Sequence, residues 1–333
     1  MNILLTGGAG YIASHTAVVL AQAGHQVTLF DNLSNSQKSV IANLEAITAK
    51  TIPFIEGDVR DTQLLSQVIT EHHIEAVIHF AGLKSVAQSV EDPILYYANN
   101  VQGTISLLEA MQANGLNKLV FSSSATVYGD PEYLPYDEHH PLKPMNPYGQ
   151  TKLQVEEMLH DVSRSDADWR IACLRYFNPV GAHPSGLIGE NPSGIPNNLM
   201  PYVARVASGH LPELSIFGND YDTKDGTGER DYIHVMDLAE GHMAAIDFLE
   251  KHSGWHAINL GTGQPHSVME LVTGFEKASG KAIPRKIVGR RPGDLPVYFA
   301  TVDQAQKLLG WSAKRSLDEM CESVWNFQTK SMS

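Results

Sequence analysis

The sequence predicts an α/β fold whose larger part is a doubly wound parallel sheet, and three observations predict it. Short apolar runs alternate with segments of helical character through the first half, a glycine-rich turn follows the first run, and the texture turns to proline and glycine beyond Arg175. The apolar runs are Ile3 to Thr6, Val27 to Phe30, Ala76 to Phe80 and Leu119 to Ser122. Runs this apolar suit strands covered on both faces. Between them Ser14 to Ala23, Gln63 to Glu71 and Gly103 to Ala113 are long and periodic enough to be crossover helices, which right-handed connections place on both sides of the sheet. A chain of 333 residues has room for about two domains. Pro179, Gly181, Pro184, Gly186, Gly189, Pro192, Gly194 and Pro196 crowd the stretch after Arg175 and mark a boundary. The expected division is a Rossmann-type domain at 1–177, with 231–256 returning to it, and a smaller mixed α/β domain from 178–230 and 257–333. That second region is expected to hold helices around Leu199 to Ser208, Val268 to Ala278 and Ser316 to Thr329, with short strands around Leu214 to Phe217 and Ala257 to Leu260.

Composition excludes several function classes. Lysine and arginine number 24 against 37 aspartates and glutamates, a formal net charge of −13 that opposes a phosphate backbone, so no nucleic-acid partner is expected. A local basic pocket for one small anion is compatible with that charge. Cys173 and Cys321 lie far apart, without the spacing of a zinc knuckle or redox pair, which fits a reducing compartment. Met1 leads straight into Ile3-Leu4-Leu5 with no secretion signal, and no run approaches the roughly 18 apolar residues of a membrane span. A cytoplasmic location without membrane attachment is expected. His72-His73 and His139-His140 are adjacent pairs rather than ligands spaced on one helix face, so no metal is expected.

The first run enters Gly7-Gly8-Ala9-Gly10-Tyr11-Ile12-Ala13. Glycines at 7 and 10 allow a tight turn and let backbone amides approach a pyrophosphate at the start of the next helix. Ala13 stands where the fingerprint has its third glycine, a change of one methyl that neighbours can absorb. The second run ends at Asp31, about 20 residues further on, where a carboxylate accepts both hydroxyls of an adenosine ribose and rejects a 2′-phosphate. NAD rather than NADP is therefore expected. Asp58, in Glu56-Gly57-Asp58-Val59, is placed to reach adenine, and the small residues of Phe80-Ala81-Gly82 permit close passage of the cofactor.

Tyr148 and Lys152 stand one helical turn apart in Asn146-Pro147-Tyr148-Gly149-Gln150-Thr151-Lys152, so their side chains share a face. A lysine charge near a phenol favours the phenolate. Upstream, Phe121-Ser122-Ser123-Ser124-Ala125-Thr126-Val127-Tyr128-Gly129 lies at the carboxyl end of a strand, where open parallel sheets bind ligands. Ser124 can share a proton at the reacting hydroxyl, and Thr126 is a second sugar contact. Val127 and Tyr128 follow Thr126, so the adjacent acid pair that drives elimination of water is absent.

These residues, with His79-Phe80-Ala81-Gly82-Leu83-Lys84, Arg175-Tyr176-Phe177-Asn178-Pro179-Val180-Gly181-Ala182, Gly194 to Pro201 and Arg230-Asp231-Tyr232-Ile233-His234-Val235, give the chain its resemblance. It resembles the UDP-glucose 4-epimerases (UDP-galactose 4-epimerases) of the extended short-chain dehydrogenase/reductase family over essentially its whole length. The resemblance implies that Tyr148 is the acid/base, that Lys152 orients the nicotinamide ribose and lowers the tyrosine pKa, and that Ser124 assists proton movement. It completes the NAD site with Tyr11, Ile12, Asn32, Asn35, Ser36, Val59, Lys84, Asn99, Ser122 and Tyr176. On the sugar-nucleotide side it implies Lys84, Ser124, Thr126, Tyr148, Asn178, Asn198, Leu199, Tyr232, Phe217 against uracil, Arg230 and Arg291 at the diphosphate, Asp294 at the uridine ribose, and Tyr298. Arg230, Arg290 and Arg291 are a cationic minority in an acidic chain, and guanidinium forks suit phosphoryl oxygens.

The implied reaction is reversible interconversion of UDP-glucose and UDP-galactose through transient oxidation at carbon 4, rotation of the 4-keto sugar and return of the hydride, by a homodimer. Tyr298 matches a wall position where bulk narrows the space near the sugar 2-substituent, which implies preference over N-acetylhexosamine forms. Epimerisation of another UDP-sugar, an N-acetylhexosamine or a pentose, and a non-catalytic sugar-nucleotide-binding role stay open as alternatives.

Overall fold

Residues 1–192, 194–291 and 293–331 are described by a computed structural model of the chain. In chain order the first half holds β1 (Asn2–Thr6), α1 (Tyr11–Gln22), β2 (Gln26–Asp31), α2 (Ser39–Thr48), β3 (Phe54–Glu56), α3 (Thr62–Glu71) and β4 (Ala76–His79). There follow α4 (Val86–Glu91), α5 (Pro93–Tyr96), a π-helical turn at Tyr97–Val101, α6 (Gln102–Ala113), β5 (Lys118–Ser122), a 3-10 turn at Ala125–Val127, α7 (Pro147–Ser165) and β6 (Arg170–Tyr176). The remainder runs β7 (Asn178–Val180), α8 (Leu199–Ala207), β8 (Leu214–Phe217), β9 (Glu229–His234), α9 (Val235–Leu249) and β10 (Gly254–Leu260). Last come β11 (Pro265–Ser267), α10 (Val268–Ser279), β12 (Arg285–Val288), β13 (Val297–Tyr298), α11 (Asp303–Leu309) and α12 (Leu317–Lys330).

Seven strands form one parallel sheet in the order β10-β6-β5-β4-β1-β2-β3, so the fold is the doubly wound Rossmann type. Alternation along each strand builds two cores. Leu5, Leu29, Ile78 and Leu174 face α1 and α9, while Leu4, Phe30, Val77 and Phe121 face α3, α6 and α7. Helix α1 is buried at every residue from Ala13 to Ala21 because α9 covers the side that the sheet does not, and Ala13 is absorbed there at 1% exposure. The run near 257–260, expected among the strands of the second region, is the outer strand of the main sheet, with Gly254 to Leu260 in parallel register with Arg170 to Tyr176. The short strand β3, Phe54-Ile55-Glu56, is an edge of the sheet and ends two residues before Asp58.

Away from the main sheet, β9 pairs with β7, β11 and β13, and β8 pairs with β12. Val203, Ile216, Tyr232, Phe275 and Met320 form a third core under α8, α10 and α12. Ser267 and Ser316 begin α10 and α12 with capping boxes closed by Glu270 and Glu319. Among the described residues, no helix is long and apolar enough to cross a membrane.

Candidate active site

Chain order reverses between β1 and β4, which opens a crevice at the carboxyl ends of those strands. The turn from β1 into α1 lies there. Gly7 has φ of 66° and a Cβ at that position would sit 2.7 Å from the Ala81 amide nitrogen, so this glycine is required by both backbone and neighbour. Gly10 caps α1 with no side-chain hydrogen bond and no acid follows in the first turn, which leaves the amide end of the helix to an anion. Asp31, at the end of β2, accepts from the amides of Ala9 at 3.0 Å and Leu33 at 2.8 Å and from the Ser36 hydroxyl at 2.9 Å. Its carboxylate is thus fixed beside the turn. Ile12 packs partly against the core, Asn35 is exposed, and Val59 is buried beneath Gly103.

Asp58, expected to reach adenine, is held in the chain by itself by two neighbours. Arg60 grips it through Nε at 2.8 Å and Nη2 at 2.7 Å while Asn32 donates at 3.4 Å, and the Arg60 hydrogen bond holds its carboxyl down at about 2. This dinucleotide cradle, with a narrow glycine passage, a helix amide end and an anchored ribose-type carboxylate, fits NAD.

The candidate acid–base groups come from the segment just after β5 and from α7. Asn146 caps α7 by accepting from the Gly149 amide at 2.9 Å, and Pro147 opens its first turn, so Tyr148 and Lys152 begin one ordered face. Burial pushes the Tyr148 phenol up to about 12, while its hydrogen bond with Ser124 pulls in the opposite direction. Ser124 also accepts from the Thr126 hydroxyl at 3.0 Å. Lys152 is buried, with its pKa lowered to about 8 by desolvation, and donates to the Ser122 carbonyl at 2.6 Å. In the chain by itself, then, burial outweighs the Ser124 hydrogen bond, and the phenol stands above its ordinary value rather than below it. Tyr176 bonds the Ser122 hydroxyl beside them.

Sequence reasoning missed the layer beneath these groups. The Thr104 hydroxyl donates to the Asn100 carbonyl at 2.7 Å and so accepts from His79 Nε2 at 3.0 Å; His79 Nδ1 then accepts from Thr6 at 2.6 Å. Burial and then the Lys152 charge lower the His79 pKa to about 3, which keeps the ring neutral. Asn100, the neighbour of the expected Asn99, clamps the Leu83 backbone through both amide atoms and reaches Thr151 on α7 at 3.0 Å. Asn99 itself makes only a 3.4 Å bond to the Leu95 carbonyl. On the next turn of α7, Glu156 receives Arg175 Nε at 3.1 Å, Arg175 Nη2 at 2.5 Å and Ser123 Oγ at 2.5 Å, all buried. Isolated Glu, Arg and Asn letters carry no periodic signal, so only the fold reveals these pairings.

The expected substrate residues are distributed along the second region. Asn178 begins β7, Asn198 and Leu199 begin α8, and Phe217 ends β8 with the Arg291 guanidinium 3.8 Å from its ring centre. Arg230 donates to the Leu295 carbonyl at 2.8 Å and lies 3.6 Å from Asp294. Arg290 instead pairs with Asp220 at 2.8 Å, over the Tyr221 ring. Tyr232 is in the third core at 4% exposure, its phenol pushed up to about 12 by burial. Tyr298 packs against Tyr136 and Phe177, ring centres 4.8 Å and 5.1 Å away, and its buried hydroxyl has no protein partner among the described residues.

Residues 3–261 match the model of the NAD dependent epimerase/dehydratase family. The chain belongs to that family. A UDP-glucose 4-epimerase of Bacillus subtilis (strain 168) is 55% identical over 332 residues, covering 100% of this chain and 98% of the relative. Among solved structures, a UDP-glucose-4-epimerase from Stenotrophomonas maltophila with bound NAD and formylated UDP-arabinopyranose superposes with a TM-score of 0.98 at 50% identity, covering 100% of this chain and 99% of that one. One from Bifidobacterium longum in complex with NAD+ and UDP gives 0.96 at 50% identity and the same coverage. For a member of the NAD dependent epimerase/dehydratase family, the cofactor cradle described above is the expected equipment.

Proposed function

We propose that the chain catalyses the reversible interconversion of UDP-glucose and UDP-galactose by transient oxidation at carbon 4 with tightly bound NAD. The observation that carries this is the buried Tyr148 phenol, hydrogen-bonded with Ser124 and a helical turn from Lys152, beside the Gly7 and Gly10 turn in a chain so similar to 4-epimerases. When bound, NAD supplies a reversible hydride acceptor and the positive ring that complements a phenolate. The residues that would hold it are Gly7, Gly10, Asp31, Lys152 and their neighbours.

Tyr148 takes the proton from the carbon 4 hydroxyl through the Ser124 bond and later returns it. Lys152, still mostly cationic near neutral pH with a pKa near 8, stabilises the phenolate that results. The 4-keto hexose has to present its other face between the two proton transfers, so the site must grip the diphosphate firmly and the hexose weakly. Arg230, Arg291, Asn178, Asn198, Leu199, Phe217 and Asp294 are proposed for the nucleotide end, with Thr126 and Tyr298 at the sugar. The 1–177 and 231–256 segments, with β10 completed by 257–260, would carry NAD, while 178–230 and most of 261–333 would carry the sugar nucleotide. A cytoplasmic homodimer, packing the helices at 103–113 and 148–163 against their twofold mates, completes the proposal.

Purified chain, incubated with UDP-galactose and no added reductant, is expected to yield UDP-glucose and to release NAD on denaturation; a protein that needs external NAD(H) stoichiometrically contradicts the proposal. The bound pentose nucleotide of the Stenotrophomonas maltophila structure favours including UDP-pentoses in the same panel. Tyr298→Ala is expected to raise kcat/KM for UDP-N-acetylglucosamine about tenfold or more, because truncation opens the wall formed with Tyr136 and Phe177. Isomer ratios with wild type and variant check this.

A further inference from the structure

We infer that Glu190 is a positioning residue for sugar-nucleotide binding, its carboxylate presetting Lys84, from the segment after β4, and Asn198, at the start of α8. The inference rests on the function proposed above and adds to it a residue that neither the motifs nor the resemblance supplied. Glu190 Oε1 accepts from Lys84 Nζ at 3.1 Å and from Asn198 Nδ2 at 2.7 Å. The carboxylate side chain is 9% exposed whereas that of Lys84 is 52% exposed, so the buried member anchors the exposed one. Asn198 holds the N-cap position of α8, yet its side chain makes no capping bond and turns its amide to Glu190 instead. The Lys84 ammonium has three donors, and the pair with Glu190 uses one.

The backbone that presents Glu190 is a tied strap. Ala182 pairs with Gly189 in an antiparallel bridge, His183 donates to the Ile188 carbonyl at 3.1 Å, and Ile188 is sunk in the main core. Tyr11 and Asn43, from the cofactor side, hold the Gly181 and Leu187 carbonyls at 2.7 Å and 2.9 Å. Asn326 and Lys330 of α12 hold the Pro184 and Ser185 carbonyls at 2.9 Å and 2.6 Å. A carboxylate anchored in this way cannot follow its partners, so the partners take their positions from it. Beside a diphosphate site an uncompensated carboxylate would repel the ligand. Pairing with Lys84 removes that repulsion and leaves the geometry.

The test uses NAD-loaded enzyme and compares Glu190→Ala and Glu190→Gln with wild type, using UDP-galactose as substrate and UDP in direct binding. Glu190→Ala is expected to raise KM and the UDP dissociation constant about tenfold while kcat falls less than about threefold, the pattern of lost uniform binding. Glu190→Gln keeps an accepting oxygen and is expected to recover most of the loss, with NAD content and melting temperature unchanged in both. Unchanged or tighter UDP binding in Glu190→Ala overturns the inference, as does a Gln variant no better than Ala. Absence of wild-type turnover overturns the functional reading and this inference with it; normal wild-type turnover beside unaltered variants overturns the inference alone.

Discussion

Replacing Tyr148 by Phe is expected to lower kcat about a thousandfold while NAD content and the affinity for UDP change little. Phe keeps the ring and its packing but deletes the single oxygen that exchanges a proton with the carbon 4 hydroxyl. The Ser124 bond cannot replace it, because a serine hydroxyl is far too weak a base near neutrality. The buried phenol stands at about 12 in the chain alone, with Lys152 lowered to about 8 beside it. Complementary positive charge arriving with the cofactor has to bring the phenol down. Rapid-quench turnover and equilibrium UDP binding separate the two effects, and a Tyr148→Phe variant that turns over normally removes Tyr148 from its assigned role.

Replacing Arg175 by Met is expected to destabilise the fold by about 3–5 kcal/mol, measured as the shift of a denaturant midpoint at constant slope. Both side chains of the Arg175–Glu156 pair are 2% exposed, and removing the guanidinium strands a carboxylate that also takes the Ser123 hydroxyl. The pair ties α7 to β6 one turn beyond Lys152, so the same change should loosen the frame that aims Tyr148. Replacing both partners with apolar residues of similar volume should recover much of the stability, since the cost comes from the unpaired charge rather than from loss of the bridge. A single Arg175→Met variant as stable as wild type would contradict this.

The central sheet was legible in the sequence because strands buried on both faces must be nearly all apolar. The Gly7 turn, Asp31 and the Tyr148–Lys152 pair were legible because chemistry fixes their spacing within one turn or one strand–helix unit. What escaped depends on contacts between distant segments. Strand β10 is distinguished only by its partner β6. The pairing of Asp58 with Arg60, two residues on, was likewise not read from the sequence. His79, Asn100, Glu156 and Glu190 have neighbours 17 to 106 positions away. Nothing local marks them. Tyr148 itself shows the limit of pairwise reasoning: the helical spacing to Lys152 was legible, but the desolvation that raises the phenol belongs to the packed site.

The most direct measurement follows a deuterium atom carried at carbon 4 of UDP-galactose through turnover in ordinary water. Oxidation and return of the same hydride within one closed site predict that the deuterium is retained at carbon 4 of the UDP-glucose formed, while the Tyr148 proton exchanges only at oxygen. Loss of the deuterium to solvent during turnover would mean that carbon 4 is deprotonated rather than oxidised, and would contradict the proposed role of the NAD cradle in this chain.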